Sequence, residues 1–228
     1  MLRSVQSLAI LGKYAFLSFS ALLPVVNPLG SALLLLGIVG NAPESLYRDL
    51  ARKVAMRTII LFVVVELVGA TLLNFFGISL PVVQVAGGLV IAAMGWNLLN
   101  RQDPETDRAQ ADVDASALQS LEAKVFYPIT FPVTVGPGCI VVMLTLDARA
   151  SAQNVVGNVI AHLGILASVI VLSLVVFYSY AYAPKITERV SAQTAHGALR
   201  VIAFVLLCIG VQITSNGVQT LVKAMLKP

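Results

Sequence analysis

Two short motifs that can interrupt a helix are the residues in this chain that most directly indicate a binding site. Asn27-Pro28-Leu29-Gly30 lies near the middle of the first hydrophobic segment, and Gly136-Pro137-Gly138 lies near the middle of the fourth. Proline breaks the helical hydrogen-bond ladder, and glycine lets another group approach the backbone closely. Within a bilayer such breaks are tolerated only where the freed backbone groups meet protein, water or a ligand. The pair predicts a solute site near the membrane midplane.

The two motifs also predict the chemistry of the solute. Proline is favoured at the first position of a helix, so Pro28 and Pro137 are expected to begin the second halves of helices one and four. Converging helix starts would direct N–H groups and positive dipole ends at a carboxylate. The preceding carbonyls can accept hydrogen bonds from an ammonium group, so a small zwitterion fits both. Thr134 flanks the second motif and could contact the ligand or bond its own helix backbone.

Four further polar residues lie within the predicted helices. Asn97 and Gln212 could line the solute path or bond a neighbouring helix. Glu66 lies in the apolar run Val63–Val68, where a charge costs about 2.5–3.5 kcal/mol on insertion scales. It could bind a substrate ammonium or carry a coupling proton, or it could stay protonated and bond between helices. His162 is expected to be a satisfied polar residue.

Residues for cofactor chemistry are sparse in the sequence. The chain has two histidines and two cysteines, and their spacing matches no metal site. No glycine-rich P-loop is present, so ATP hydrolysis is not expected. Nucleophile, base and orienting acid are not grouped as a hydrolase requires. The sequence therefore predicts no cofactor, no metal and no enzymatic activity.

The composition indicates an integral membrane protein. Of the 228 residues, 58% are hydrophobic and 11% are charged, and the mean hydropathy is +0.89. A soluble core could not bury so much apolar surface. Charge-free stretches of about 20 residues or more predict six membrane-spanning helices. Their expected bounds are about 9–39, 55–76, 81–100, 124–147, 154–182 and 198–223.

The distribution of lysine and arginine predicts the orientation. Ten of these residues fall in loops after helices one, three and five, and five fall on the other side. The positive-inside rule then places the first group in the cytoplasm and both termini outside. The net charge of +4 is explained by this topology, and no nucleic-acid partner is expected. The acidic segment 101–123 is predicted to be a cytoplasmic linker.

The two halves, 1–100 and 124–228, resemble each other. Aligning Pro28 with Pro137 places Met94-Gly95-Trp96-Asn97 near Ile209-Gly210-Val211-Gln212. Each half holds three helices, an odd number, so the second half must enter the membrane upside down. The predicted fold is an all-α integral membrane protein of six helices in two inverted repeats, with helices one and four broken at the midplane. Inverted repeats recur in transporters, with the site at the repeat interface.

The chain resembles the MarC family of multi-pass inner-membrane proteins. The resemblance rests on Asn27-Pro28-Leu29-Gly30, Gly136-Pro137-Gly138, the run Gly77-Ile78-Ser79-Leu80-Pro81 with Val85-Ala86-Gly87-Gly88-Leu89, and Cys208-Ile209-Gly210-Val211-Gln212 with Asn216-Gly217. It implies six helices in two inverted repeats and, for some members, transport of small neutral amino acids such as glycine and alanine.

Three classes of function remain open on sequence alone. The leading one is a secondary transporter of small polar solutes, with small neutral amino acids as substrates and a proton gradient as the expected drive. A channel or facilitator for small neutral solutes is the second, since facing half-helices also line such pores. A membrane enzyme or a protein without transport is the third. Saturable counterflow would favour the carrier, and flux that never saturates would favour the pore.

Overall fold

The computed structural model describes residues 2–40, 42–100, 125–151, 154–189 and 192–226, and this part of the chain contains helices and no strands. The elements are numbered here in chain order. They are α1 (Leu2–Val26), α2 (Pro28–Val39), α3 (Glu44–Phe75), α4 (Leu80–Leu99), the irregular helical segment α5 (Val125–Thr134), α6 (Pro137–Ser151), α7 (Val155–Ala181), α8 (Ala183–Arg189) and α9 (Ala192–Met225).

The helices are long and apolar enough to cross a membrane. Five spans meet this criterion, with α1 and α2 counted together as one of them, and the bent pair α5–α6 makes a possible sixth. The predicted all-α membrane class is therefore confirmed. The predicted turn between helices two and three is also present, because α3 ends at Phe75 and α4 begins at Leu80. Gly77 in that turn has φ +67°, a backbone conformation that favours glycine.

Several helices begin earlier than predicted. The second was expected to begin near residue 55, but α3 begins at Glu44. Its first turns are charged, and Glu44–Arg48 and Asp49–Lys53 form i,i+4 ion pairs that support a solvated helix. The sixth was expected to begin near 198 and begins at Ala192. Charged residues indicate where a helix leaves the apolar layer of the membrane. They do not indicate where the helix itself begins. The predicted linker 101–123 lies outside the described residues.

Helix α7 lies at the centre of the bundle. It packs against α1, α2 and α3, and its residues Ile165, Leu172 and Tyr180 are fully buried. Tyr47 and Phe62 of α3 are also fully buried, and the Tyr47 hydroxyl donates a 2.7 Å hydrogen bond to the Gly40 carbonyl. Many leucines and valines on the outer helix faces remain exposed, as a lipid-facing surface requires.

Helices α4 and α9 form the most extensive helix pair and pack backbone to backbone. A Cβ atom added to Gly95 would lie 2.8 Å from the Ala203 carbonyl oxygen, and one added to Gly210 would lie 2.6 Å from the Gly88 oxygen. Residues early in α4 meet residues late in α9, so the two helices are antiparallel. Small residues let membrane helices approach this closely and gain dispersion contacts.

We expect Gly210→Val to destabilise the protein, because the added side chain would strike the backbone of α4 at Gly88 and Ala92. Overpacking of this kind costs about 1–3 kcal/mol. The thermal unfolding midpoint in detergent should fall clearly below that of the parent. Gly37→Val is the matched control, since a Cβ atom added there meets no described atom within 4 Å. Equal midpoints for the two variants would contradict the close packing of α4 and α9.

Candidate functional site

The first helix interruption is built on Asn27. This residue has φ 47° and ψ 63°, a left-handed conformation that asparagine tolerates better than most residues. Its side-chain oxygen accepts a 3.2 Å hydrogen bond from the Gly30 N–H, so it caps α2, which begins at Pro28. A Cβ atom on Gly30 would strike the Asn27 amide. Asparagine, proline and glycine thus form one turn that ends α1 and begins α2.

The second interruption is longer and contains two prolines. Tyr127 and Phe131 have extended backbone angles inside α5, and each precedes a proline, which disfavours helical geometry at the preceding residue. α6 then begins at Pro137 at an angle of 60° to α5. The hydroxyl groups of Thr130 and Thr134 donate 2.7 Å hydrogen bonds to the carbonyls of residues 125 and 129. Both threonines therefore satisfy backbone groups of their own segment.

The two interruptions meet inside the protein. The buried Ser31 hydroxyl of α2 lies 3.1 Å from the Val26 carbonyl oxygen and 3.3 Å from the Val133 carbonyl oxygen, so it bridges the end of α1 and the end of α5. The Thr134 hydroxyl lies 2.7 Å from the Tyr180 hydroxyl of α7, and both residues are fully buried. We call Ser31, Thr134 and Tyr180 the polar junction.

The helix starts offer fewer free N–H groups than the sequence suggests. In the first turn of α2, the side chain and the carbonyl of Asn27 accept from Gly30 and Ser31, respectively. In the first turn of α6, the N–H groups of Cys139 and Ile140 both donate to the Gly136 carbonyl. The prolines have no N–H, so each start satisfies most of its own donors. The sequence predicted that both helix starts direct free N–H groups at a carboxylate, and about one free N–H group remains at each start.

The glycines of the second motif are closely surrounded by protein atoms. A Cβ atom on Gly136 would lie 2.9 Å from the Pro132 carbonyl oxygen. One on Gly138 would lie 2.7 Å from Ile91 Cγ1 and 3.2 Å from Val25 Cγ1. In this conformation these glycines allow α6 to pack tightly against α1 and α4.

A cavity of about 350 Å³ adjoins the first interruption. Asn27 and Ser179 contribute the polar side chains of its lining, and residues of α7 and α9 such as Val175 and Val205 make most of it apolar. Among the residues that the structure describes, no Lys, Arg, Asp or Glu lines the cavity. The cavity therefore suits a small solute with an apolar part and no net charge.

Asn97 and Gln212 are not among the residues that line this cavity. Both are exposed on the α4–α9 pair, and the Gln212 side chain donates a 3.0 Å hydrogen bond to Asn216 on its own helix. Of the predicted site residues, the structure gathers Asn27, Pro28 and Gly30 with the segment from Thr134 to Gly138, and it leaves Asn97 and Gln212 on the outer surface of the chain.

Glu66 lies in a second polar cluster. Its carboxylate oxygen Oε1 is 2.6 Å from Nδ1 of His162, and Asp147 Oδ1 is 3.7 Å from the same nitrogen. Glu66 is on α3, Asp147 on α6 and His162 on α7. Glu66 and His162 were expected to act separately, and Asp147, which directly follows the charge-free stretch of the fourth span, was not among the predicted site residues. We call Glu66, Asp147 and His162 the acid–histidine triad.

Sequence reasoning also missed Ser31, Ser179 and Tyr180. Serine and tyrosine are ordinary residues in membrane helices, and nothing in their spacing separates them from packing residues. A position four residues after Asn27 is one helical turn away, which is the only sequence signal that Ser31 shares the site.

This architecture of long apolar helices around buried polar clusters defines a multi-pass integral membrane protein. Residues 12–222 match the model of the MarC family of integral membrane proteins. The chain belongs to this family.

Named relatives of the chain include inner-membrane proteins. It is 24% identical over 209 residues to the "UPF0056 inner membrane protein MarC" of Escherichia coli O1:K1 / APEC, covering 91% of this chain and 95% of the relative. The protein of the same name from Escherichia coli strain K12 has the same identity and coverage. No solved structure gave a significant match.

Proposed function

We propose that this protein is a secondary transporter of small polar solutes, with small neutral amino acids such as glycine, alanine and serine as substrates. The solute binds beside the two helix interruptions. The observation that carries the proposal is that the two interruptions meet at the polar junction, and that a cavity lined by Asn27 adjoins the first of them. Interrupted helices at a shared site are how many transporters bind solutes at membrane depth.

The cavity sets limits on the solute. Its volume of about 350 Å³ is at the lower end of the usual range for small-molecule sites. An uncompensated charge in an apolar, uncharged lining would cost several kcal/mol. The side chain of a small amino acid would contact the apolar wall, while Asn27 and Ser179 bind its polar groups. The solute carries no net charge, but its ammonium and carboxylate groups each still need hydrogen-bond partners, and Asn27 and Ser179 are the polar side chains that the lining offers.

The proposal includes two inverted three-helix repeats, and the contacts between α4 and α9 support it. Gly95 of α4 approaches the amide nitrogen of Leu207 and the carbonyl oxygen of Ala203 in α9. Gly210 of α9 likewise approaches the amide nitrogen of Ala92 and the carbonyl oxygen of Gly88 in α4. Exchanging the two halves reproduces this pattern when positions 115 residues apart are matched. The matched positions are Gly95 with Gly210, Ala92 with Leu207, and Gly88 with Ala203.

Some helix neighbours follow the same exchange, whereas the packing of α4 against α6 has no comparable counterpart between the described parts of α9 and α2. α2 packs against α7 as α6 packs against α3, and α1 packs against α7 as α5 packs against α3. The pairs α3–α7 and α4–α9 each join equivalent helices of the two halves. This is the pattern that a two-fold axis in the membrane plane would produce.

The polar junction favours a carrier over a channel. A pore needs a continuous lumen, whereas Thr134 and Tyr180 are fully buried and hydrogen-bonded to each other where the two interruptions meet. A carrier instead opens such a closed contact toward one side of the membrane while the path to the other side stays closed. We further propose an inner-membrane location with both termini outside the cytoplasm, from the names of the relatives and the ten-to-five distribution of basic residues.

Binding of amino acids to the purified protein tests this function. Glycine, alanine or serine should raise the thermal unfolding midpoint of the detergent-solubilised chain, because a ligand at 100 times its Kd stabilises by about 2.7 kcal/mol. Asn27→Asp should lose this stabilisation. Aspartate keeps the capping oxygen for the Gly30 N–H and tolerates the left-handed backbone, but its charge repels the solute carboxylate.

Asn154→Asp is the matched control for that variant. Asn154 caps α7 through the same contact, a 2.8 Å hydrogen bond from the N–H of a glycine three residues on, and it is exposed and outside the cavity. The control should be stabilised as the parent is. Equal stabilisation of both aspartate variants would place the solute elsewhere, and no stabilisation by any of the common amino acids would contradict the proposed substrate class.

A further inference from the structure

The acid–histidine triad brings together three side chains that commonly bind metals. Carboxylate oxygens of Glu66 and Asp147 and a ring nitrogen of His162 all lie within 4.8 Å of one another. The three residues come from three helices, α3, α6 and α7, and they are separated by up to 96 residues along the chain. Only the packing of the bundle assembles them.

The carboxylates of the triad are buried with little compensation. Glu66 is 9% exposed and Asp147 is 8% exposed. The Oε2 atom of Glu66 is buried and has no hydrogen-bond partner. Within the described part of the chain, no lysine or arginine forms an ion pair with either acid. A buried carboxylate oxygen without a partner is costly, so the triad is suited to a positively charged ligand.

We propose that the acid–histidine triad binds one divalent first-row transition cation, such as Zn²⁺. Two carboxylates and a neutral imidazole balance the charge of a divalent ion. Two ligand atoms about 2.1 Å from one ion are at most about 4.2 Å apart, so small side-chain movements bring all three within coordination distance. The second oxygen of Glu66 would then gain the partner that it lacks.

The donor set determines the kind of cation. Imidazole nitrogen favours zinc and its neighbours, whereas calcium and magnesium prefer oxygen ligands alone. Three protein ligands leave a fourth position for water or another molecule. The His162 side chain is 25% exposed, so the triad lies near the surface of the bundle. A hydrogen bond between His162 and Glu66 alone leaves Glu66 Oε2 buried without a partner.

This inference is independent of the proposed transport function. None of the three residues is among those lining the cavity beside Asn27. Metal binding is measured without any solute and without transport, so either proposal can fail while the other stands.

Equilibrium dialysis against Zn²⁺ tests the site. The full chain should be purified in detergent without a polyhistidine tag, stripped with a chelator and analysed by elemental mass spectrometry. We expect one zinc ion per chain that excess Mg²⁺ does not displace. Glu66→Gln, Asp147→Asn and His162→Gln should each weaken binding by at least about tenfold, since each removes one ligand. Asp49→Asn, an exposed acid on the same helix as Glu66, should bind as the parent does.

X-ray absorption at the zinc edge keeps the test decisive if one variant folds poorly. The parent should show outer-shell scattering from one imidazole, and this signal should be absent in a folded His162→Gln protein that is loaded at high zinc concentration. Substoichiometric binding by the parent, or equal affinity of the triad variants and Asp49→Asn, would overturn the proposal.

Discussion

A tryptophan at position 175 is expected to reduce solute uptake strongly while leaving the protein folded. Val175 lies on α7 and lines the cavity beside Asn27. Its replacement places an indole ring where the solute is proposed to bind. Existing space accommodates the ring, so the overpacking cost should be small compared with a filled core. Uptake of labelled alanine into proteoliposomes should fall at least about tenfold, which corresponds to about 1.4 kcal/mol.

Leu174→Trp provides the comparison for this variant. Leu174 is the preceding residue on the same helix, but its side chain is 51% exposed on the outer face. The same added volume there contacts lipid or detergent and should leave uptake near the parent level. If Val175→Trp transports as well as Leu174→Trp does, the cavity is not on the solute path.

The sequence was sufficient to predict the class of fold. Apolar stretches predict membrane helices because hydrocarbon leaves a chain few alternatives for its backbone hydrogen bonds. Prolines at 28 and 137 likewise begin helices because their missing N–H costs nothing at that position. These are local effects, and one sequence is enough to apply them.

Most of the site could not be predicted because it depends on tertiary packing. Ser31 joins the two interruptions through a carbonyl 102 residues away, and the Tyr180 hydroxyl contacts a threonine 46 residues away. The triad is a still clearer case. Nothing in the spacing along the chain groups Glu66, Asp147 and His162, and the packing of three helices brings them together.

The glycines illustrate how one residue type supports two interpretations. Gly30 and Gly138 were expected to make room for a ligand, and the structure fills that room with Asn27 in one case and Ile91 in the other. A glycine indicates that another group approaches the backbone closely. It does not indicate whether the approaching atoms belong to a solute or to a neighbouring helix.

Asn27→Val is expected to destabilise the protein far more than Asn27→Gly, because the left-handed backbone at this position is the basis of the first interruption. A left-handed conformation costs an L-residue about 1–2 kcal/mol, and loss of the side-chain cap costs about a further 1 kcal/mol. Valine incurs both costs, and its branched Cβ adds to the first. Glycine adopts φ 47° without strain, and as an N-cap it costs only a few tenths of a kcal/mol.

Unfolding of the two variants by SDS in mixed micelles measures the difference. The free energy of unfolding should be lower for Asn27→Val than for Asn27→Gly by about 2–3 kcal/mol, the sum of the conformational and capping effects. Asn154→Val is a useful third variant, because Asn154 makes the same cap with φ −65° and ψ 164°. It should show the capping cost without the conformational cost. Equal stabilities for the valine and glycine variants at position 27 would mean that the chain reaches α2 through some other backbone path, and the interruption would then owe its shape to Pro28 alone.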